Sequence, residues 1–100
     1  MNDKDLEIQV SLDNEFGLHA RPAAILAREA QKFSSDIRLS FNGREVDAKS
    51  ILDILTLAAT SGSPLSIRAS GEDAPDAVRR IRELITGRFG DNKSDGQKSL

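Results

Sequence analysis

Stretches in which apolar and polar residues strictly alternate are interleaved, along this chain, with stretches in which apolar residues recur at helical spacing. Alternation with a period of two indicates half-buried strands, and it occupies residues 6–12, 37–41, 45–48 and 65–69. Helical spacing predicts amphipathic helices, and it occupies residues 20–35, 50–59 and 73–85. The predicted order of elements is therefore β-α-β-β-α-β-α, with no internal repeat and no second domain.

The second and third predicted strands are joined by Asn42-Gly43. This dipeptide favours a tight hairpin because both residues tolerate a positive φ. Three amphipathic helices can cover one face of a four-stranded antiparallel sheet. The predicted fold class is thus α+β, an open-faced β-sandwich with all three helices on one side. We expect one domain over residues 1–89 and a disordered polar tail at 90–100, which is rich in Gly, Ser, Lys and Asp.

Charge and composition narrow the class of function. The net charge is −2, which argues against a nucleic-acid-binding protein, since such domains carry a clear basic excess. No run approaches the roughly 18 apolar residues of a membrane span, and the polar N-terminus lacks an apolar signal region; we therefore expect a cytoplasmic protein without membrane insertion. The chain has no Cys and a single His, which argues against thiolate chemistry, a metal site and a hydrolase triad. No cofactor is expected.

The single histidine, His19, lies where a predicted loop becomes a helix, in the run Gly17-Leu18-His19-Ala20-Arg21-Pro22-Ala23. The first N–H groups of a helix lack intrahelical partners and face anions at the positive end of its dipole. That position favours the neutral imidazole, which is a nucleophile. Arg21 can reach the oxygens of a phosphoryl group on His19, Ala20 begins the helix, and Gly17 permits a close approach. The alternative is that His19 only caps the helix or is an ordinary surface residue.

The same run resembles the active-site signature of the histidine-containing phosphocarrier family, HPr, of the bacterial phosphotransferase system. Residues 48–52 resemble the serine-phosphorylation segment of that family, residues 70–73 resemble its sequence ahead of the last helix, and the likeness spans about 6–89. The resemblance implies that His19 accepts a phosphoryl group on Nδ1 from enzyme I and passes it to an enzyme IIA domain. Arg21 matches the family's active-site arginine. The resemblance further implies a monomeric carrier that is not itself an enzyme.

The resemblance leaves a second function open, that of a regulatory paralogue in nitrogen or catabolite control. Such a protein would act by phosphorylation-dependent binding rather than in sugar transport. Some paralogues of this kind lose the histidine, and the presence of His19 and Arg21 argues against that variety. An enzyme with its own small substrate is a third class, but the sequence offers no convergent set of acid, base and binding residues.

Ser50 has two possible roles. Ser50-x-x-Asp53 resembles a capping box at the start of the second helix. The family resemblance adds phosphorylation of Ser50 by an HPr kinase, which would place roughly −1.5 to −2 charges at a helix N-terminus. Asp53 departs from the Gly or Lys that we associate with this position, and its carboxylate is unfavourable beside a phosphoserine. Both roles remain open.

The second predicted helix is apolar on two faces. Ile54, Leu57 and Ala58 are predicted to point inward, and a second face consists of Ile51, Leu52 and Leu55. One short helix cannot bury both faces against one sheet, so the second face is either an exposed docking patch or part of a fully buried helix. We favour docking, because the HPr family presents this segment to its partners beside the active histidine.

The third predicted helix opens at Asp73, which is predicted to cap it, and Pro75 fits its first turn. Its arginines could form a basic stripe or a solvated face balanced by acids. We favour the solvated face. The residues concerned are Arg79, Arg80, Arg82 and Arg88.

Overall fold

The computed structural model describes residues 5–13 and 17–87. Its strands are β1 (Asp5–Ser11), β2 (Asp36–Phe41), β3 (Arg44–Asp47) and β4 (Pro64–Ser70). Its helices are α1 (Ala20–Ala30), α2 (Ile51–Leu55) and α3 (Ala74–Thr86). The element order is the predicted one. The proposed tail at 90–100 and the outer parts of the proposed domain, 1–4 and 88–89, lie outside the described residues.

The four strands form one antiparallel sheet in the order β1-β4-β2-β3. Inward-facing Ile37, Leu39 and Ile67 are fully buried at its centre. The turn between β2 and β3 has φ of 55° at Asn42 and 82° at Gly43, the conformation that the dipeptide predicted. The opposite side of each strand carries mostly polar residues. The α+β fold with an open-faced antiparallel sheet is therefore confirmed.

The hydrophobic core lies between the sheet and the helices. α1 and α3 turn their predicted stripes inward, and Leu26 and Ile81 are fully buried. Burial of one such side chain contributes roughly 1.5–3 kcal/mol. The buried residues are Pro22, Ala23, Leu26, Ala27 and Ala30 on α1, and Ala74, Ala77, Val78, Ile81, Leu84 and Ile85 on α3.

α1 ends at Ala30, four to five residues before the predicted end at 34–35. The backbone N–H groups of Ser34 and Ser35 donate to the carboxylate of Asp73, each at 2.9 Å, instead of to helical carbonyls. Phe33, which falls within the predicted helix 20–35, lies beyond α1 and is half-buried. The N–H groups of Lys32 and Phe33 already bond three residues back, to Glu29 and Ala30. The tertiary contact with Asp73 then holds the chain out of the helix that the local apolar spacing would have extended.

The prediction that the Asp73 side chain caps α3 is wrong. Asp73 occupies the N-cap position of α3, but its side chain makes no capping bond to that helix. Its carboxylate instead accepts from the Ser35 hydroxyl and from the two backbone N–H groups. These hydrogen bonds, the one from the Ser35 hydroxyl above all, lower the pKa of Asp73 from 3.8 to about 2. The start of α3 is thereby tied to the segment between α1 and β2.

α2 is shorter than predicted and ends at Leu55 rather than near residue 59. Ile54 and Leu57 are buried, as predicted, but Ala58 is exposed and has a left-handed backbone with φ of 53°. The predicted inward position of Ala58 is therefore wrong. A residue with positive φ cannot continue a right-handed helix.

Two of the arginines of α3, Arg79 and Arg80, form ion pairs with acids. Arg79 pairs with Asp76 one turn earlier, and Nε of Arg80 lies 3.0 Å from a carboxylate oxygen of Glu29 on α1. These pairs agree with the solvated-face interpretation. Arg88 lies outside the described residues.

Candidate functional site

His19 is the N-cap residue of α1, with an extended backbone at φ −96° and ψ −169°. Its carbonyl accepts from the Ala23 N–H at 3.0 Å, which closes the first helical turn, and its own N–H donates to the Gly17 carbonyl at 3.0 Å. Its side chain is exposed and makes no capping hydrogen bond to α1. The backbone of His19 thus holds the loop and the helix together, while its side chain lies exposed at the surface.

The first turn of α1 has one exposed side and one buried side. His19, Ala20 and Arg21 are exposed, whereas Pro22 and Ala23 are buried. Because proline has no N–H, the backbone donors of this turn ahead of Ala23 are those of Ala20 and Arg21. The buried side anchors the turn in the core. The exposed side can present an imidazole, a guanidinium and two backbone donors to an anion.

Gly17 is required by a close approach between two loops. It has φ of +78°, and a Cβ at this position would lie 2.4 Å from the Ala59 carbonyl oxygen and 2.9 Å from Cα of Thr60. The next residue, Leu18, is buried and donates its N–H to the Ala59 carbonyl at 3.0 Å. The loop that carries His19 therefore rests directly on residues 59–60.

Residues 59–60 belong to a supporting loop that is itself well tied down. Ser63 is buried, its hydroxyl accepts from the Thr60 N–H at 3.0 Å, and its N–H donates to the Thr60 carbonyl at 3.0 Å. Leu12, the residue after β1, donates to the Ser63 carbonyl at 2.8 Å and accepts from the Gly62 N–H at 2.7 Å. Sequence reasoning missed this support. Its only local signal was the turn composition of residues 61–64.

Ser50 is the N-cap residue of α2, and its hydroxyl accepts from the Asp53 N–H at 3.2 Å. The Asp53 carboxylate does not return the bond to Ser50 and instead accepts from the Asp47 N–H at 3.4 Å. Half of the predicted capping box is present. Lys49, the neighbour of Ser50, is held by its ammonium group, which donates to the Phe33 carbonyl at 2.8 Å.

The second face of α2 is open to solvent. Ile51 is 41% exposed and Leu52 is 76% exposed, and these are the large apolar side chains that the described ranges leave exposed. Leu55 is half-buried and packs against the core, in which Ile54 is fully buried. Ile51, Leu52 and Leu55 are called the α2 patch below.

α2 runs antiparallel to α1 along its side. Before α2, the Lys49 carbonyl accepts from the Gln31 side chain at the C-terminal end of α1. After α2, the Ala59 carbonyl accepts from Leu18, just ahead of α1. The α2 patch therefore extends along α1. Ser50 lies toward the end of α1 that is opposite His19, and α1 is about 16 Å long at 1.5 Å per residue.

Within residues 5–13 and 17–87, no cluster of three or more metal-ligating side chains occurs. In the same ranges, no helix has the length and apolar character needed to cross a membrane.

The family described as "PTS HPr component phosphorylation site" has a model that matches residues 6–87. The chain belongs to the HPr family. It is 41% identical to the phosphocarrier protein HPr of Xylella fastidiosa over 87 residues, which are 87% of this chain and 98% of the relative. It is 40% identical to the HPr of Cupriavidus necator over 88 residues, 88% of this chain and 99% of that HPr.

Solved HPr structures share this fold. An HPr from Thermoanaerobacter tengcongensis superposes with a TM-score of 0.82 at 38% identity, covering 85% of this chain and 96% of that one. The catabolite repression protein Crh of Bacillus subtilis, described as a swapped dimer, gives a TM-score of 0.68 at 36% identity and covers 78% of this chain and 90% of that one. HPr-type folds thus occur both in phosphocarriers and in a catabolite-repression protein.

Membership of the HPr family bears on the exposed histidine. Phosphotransferase-system phosphocarriers of this family work through a phosphohistidine, and His19 is the only histidine in this chain. In this HPr-family chain, the loop of Gly17 and Leu18 together with the buried side of α1 presents that histidine at the surface.

Proposed function

We propose that this chain is a phosphocarrier that relays a phosphoryl group from enzyme I to an enzyme IIA domain through a phosphohistidine on His19, in sugar uptake, in its regulation, or in both. The observation that carries the proposal is the exposed imidazole of His19 at the N-cap of α1, in a family defined by a phosphorylation site. In this role the chain is a substrate of partner transferases and has no turnover of its own.

The transfer step follows from the chemistry of the residues present. The Nδ1 lone pair of neutral His19 attacks the phosphorus held by the donor, and an N–P bond forms. The bond between phosphorus and the donor breaks, and its electron pair stays with the donor. The same step then runs in the opposite sense to the acceptor. Charge on the phosphoryl oxygens is stabilised by the Arg21 guanidinium and by the backbone donors of Ala20 and Arg21.

The partners follow from the same proposal. Enzyme I and an enzyme IIA domain would contact His19 and the α2 patch together, since the patch extends along α1. Ser50 has the capping role that its hydrogen bond to Asp53 supports, and we propose that it is also the acceptor for an HPr kinase. The proposed carrier is a cytoplasmic monomer with a domain spanning 1–89. Sedimentation or size-exclusion measurements would test the monomer against a Crh-like dimer.

A regulatory paralogue is the second candidate, favoured by the structural similarity to Crh. The two functions differ in what phosphorylated His19 does next. A carrier passes the group to an enzyme IIA domain within a catalytic cycle, whereas a regulator keeps it and changes its binding. Transfer to an enzyme IIA domain therefore separates them.

The decisive experiment is incubation with enzyme I and labelled phosphoenolpyruvate. The label should be acid-labile, as expected for a phosphohistidine, and His19→Ala should take up none while its melting curve stays near that of the wild type. A later chase with an unlabelled enzyme IIA domain should move the label to that domain. Equal labelling of wild type and His19→Ala would overturn the proposal.

A further inference from the structure

Ala58 has a backbone conformation that an alanine rarely adopts. It shares a left-handed φ with Asn42, at 53° and 55°, and these two are the non-glycine residues of the described ranges with positive φ. Asparagine visits this region readily because its side chain can hydrogen-bond locally, whereas alanine gains nothing that offsets the crowding of its Cβ. The surroundings must therefore hold Ala58 in place.

The two neighbours of Ala58 are what hold it. Leu57 and Ala59 are both buried, while Ala58 between them is exposed. The Ala58 N–H donates to the Leu55 carbonyl at 3.2 Å, which ends the last turn after α2. The left-handed residue reverses the chain between the two buried anchors.

That reversal places the Ala59 carbonyl under the loop of His19. The carbonyl oxygen accepts from the Leu18 N–H at 3.0 Å. It also lies only 2.4 Å from the place where a Cβ on Gly17 would be, so the two loops are in direct contact. The Gly17 carbonyl in turn accepts from the His19 N–H. A chain of contacts thus runs from Ala58, through Ala59 and the Gly17-Leu18 segment, to the backbone of His19.

We infer that Ala58 is a positioning residue for His19: its left-handed backbone fixes the Ala59 carbonyl, and that carbonyl sets the loop from which the imidazole is presented. The inference rests on the proposed function for its effect on transfer, but its structural part does not depend on that function. The positioning depends on the backbone angle of Ala58 and not on its exposed methyl group.

The test compares substitutions that tolerate or reject a positive φ. Ala58→Asn and Ala58→Gly accept this conformation, whereas Ala58→Val rejects it because Val is β-branched. Ala58→Val should lower the hydrogen-exchange protection of the Leu18 amide and the rate of phosphoryl uptake from enzyme I by about tenfold, since small misplacements of reacting groups are costly. Ala58→Asn and Ala58→Gly should keep both within about twofold of the wild type.

Asn42→Val is the matched control, because it imposes the same backbone conflict in the β2–β3 turn. It should lower the melting temperature but leave Leu18 protection and phosphoryl uptake unchanged. If Ala58→Val does not fold, Ala58→Leu provides a milder conflict for the same measurements. A folded Ala58→Val or Ala58→Leu variant with wild-type Leu18 protection would overturn the inference, as would an equal loss of uptake in Asn42→Val. If the wild type takes up no phosphoryl group at all, the proposed function fails, and Leu18 exchange still decides the role of Ala58.

Discussion

The carboxylate of Asp73 accepts hydrogen bonds from both the hydroxyl and the backbone N–H of Ser35, across 38 positions of sequence. A third bond comes from the Ser34 N–H at 2.9 Å. Ser35 is buried, so these bonds satisfy polar groups that water reaches poorly. The pair ties the start of α3 to the segment between α1 and β2.

This tie should make stability depend on pH in the acid range. The pKa of Asp73 is lowered from 3.8 to about 2 in the folded protein, so the carboxylate stabilises the fold above pH 3.8, and this contribution is lost as the pH falls toward 2. Asp73→Asn should lower the melting temperature near neutral pH, and the difference from the wild type should shrink between pH 4 and pH 2. Thermal melts of both proteins across this range measure it.

Asp76→Asn is the control for the pH series, since Asp76 is an exposed acid in the first turn of the same helix. Its melting temperature should run nearly parallel to that of the wild type. A difference between Asp73→Asn and wild type that stays constant from pH 7 to pH 2 would contradict the role given to the Ser35 bonds.

Gly17→Ala should destabilise the protein for two reasons. The left-handed φ of +78° costs an alanine about 1–2 kcal/mol, and the new Cβ would lie 2.4 Å from the Ala59 carbonyl oxygen. Gly43→Ala is a matched control, with φ of +82° and no atom within 4 Å of its Cβ. Denaturant unfolding should show a larger loss for Gly17→Ala, and similar losses would mean that the contact with Ala59 is easily relaxed.

Arg21→Ala should slow phosphoryl transfer without unfolding the chain. Arg21 is exposed in the first turn of α1, so its removal should change stability by no more than about 0.5 kcal/mol. A charge-assisted contact that strengthens in the transition state contributes roughly 1.5–3 kcal/mol, or a rate factor of about 10 to 150. Rapid-quench measurements with enzyme I test this, and Arg28→Ala, an exposed arginine in the last turn of α1, serves as the control. Equal rates for wild type and Arg21→Ala would leave Arg21 a surface residue.

Most of the fold could be predicted because its signals are local. Strand alternation, the Asn42-Gly43 turn and the inward stripes of α1 and α3 each depend on residues close in sequence, and all of them are found in the structure. The end of α1 was predicted too late, and the contact that holds the next segment out of the helix comes from far along the chain, since Asp73 accepts from the N–H groups of Ser34 and Ser35. The spacing of apolar residues along the helix cannot indicate a contact with a residue so distant in sequence.

The candidate site also has one part that local sequence predicts and one part that it does not. The position of His19 at a helix start could be predicted from Pro22 and from the polar loop before it, which are local features. Its support by Ala59 could not, because it depends on a left-handed Ala58, a residue type that gives no turn signal. The same residue explains why α2 is shorter than its apolar run. The pairing of two loops distant in sequence is a tertiary property that periodicity does not encode.

Ser50→Ala should destabilise α2, because it removes the acceptor of the Asp53 N–H. Loss of an N-cap serine costs about 0.5–2 kcal/mol, which chemical denaturation can measure, and Ser61→Ala in an exposed turn provides the control.

The proposed regulatory role of Ser50 is tested separately, with an HPr kinase and labelled ATP. Acid-stable label that disappears in Ser50→Ala would support it, and no label on the wild type would leave Ser50 a cap.

The α2 patch gives the last prediction. Ile51 and Leu52 are 41% and 76% exposed, so replacing both with Ser removes mainly the buried part of Ile51 and should cost about 1–2 kcal/mol in lost burial and helix propensity. Ile54→Ser on the same helix is the matched control. That side chain is fully buried, and its loss should cost at least about 2–5 kcal/mol. A melting curve should therefore show a stable double variant and a severely destabilised Ile54→Ser.

Ile51 and Leu52 should matter more for binding to enzyme I than for stability. If enzyme I covers the α2 patch while it contacts His19, burial of each apolar side chain contributes roughly 1.5–3 kcal/mol to the complex. The double variant should then bind enzyme I at least about tenfold more weakly by calorimetry, since 1.4 kcal/mol corresponds to a factor of ten. Transfer requires release after each exchange, and a small apolar patch suits such a transient complex. A folded double variant with unchanged affinity would move the docking surface away from α2, and an unfolded one would show that Ile51 and Leu52 support the core.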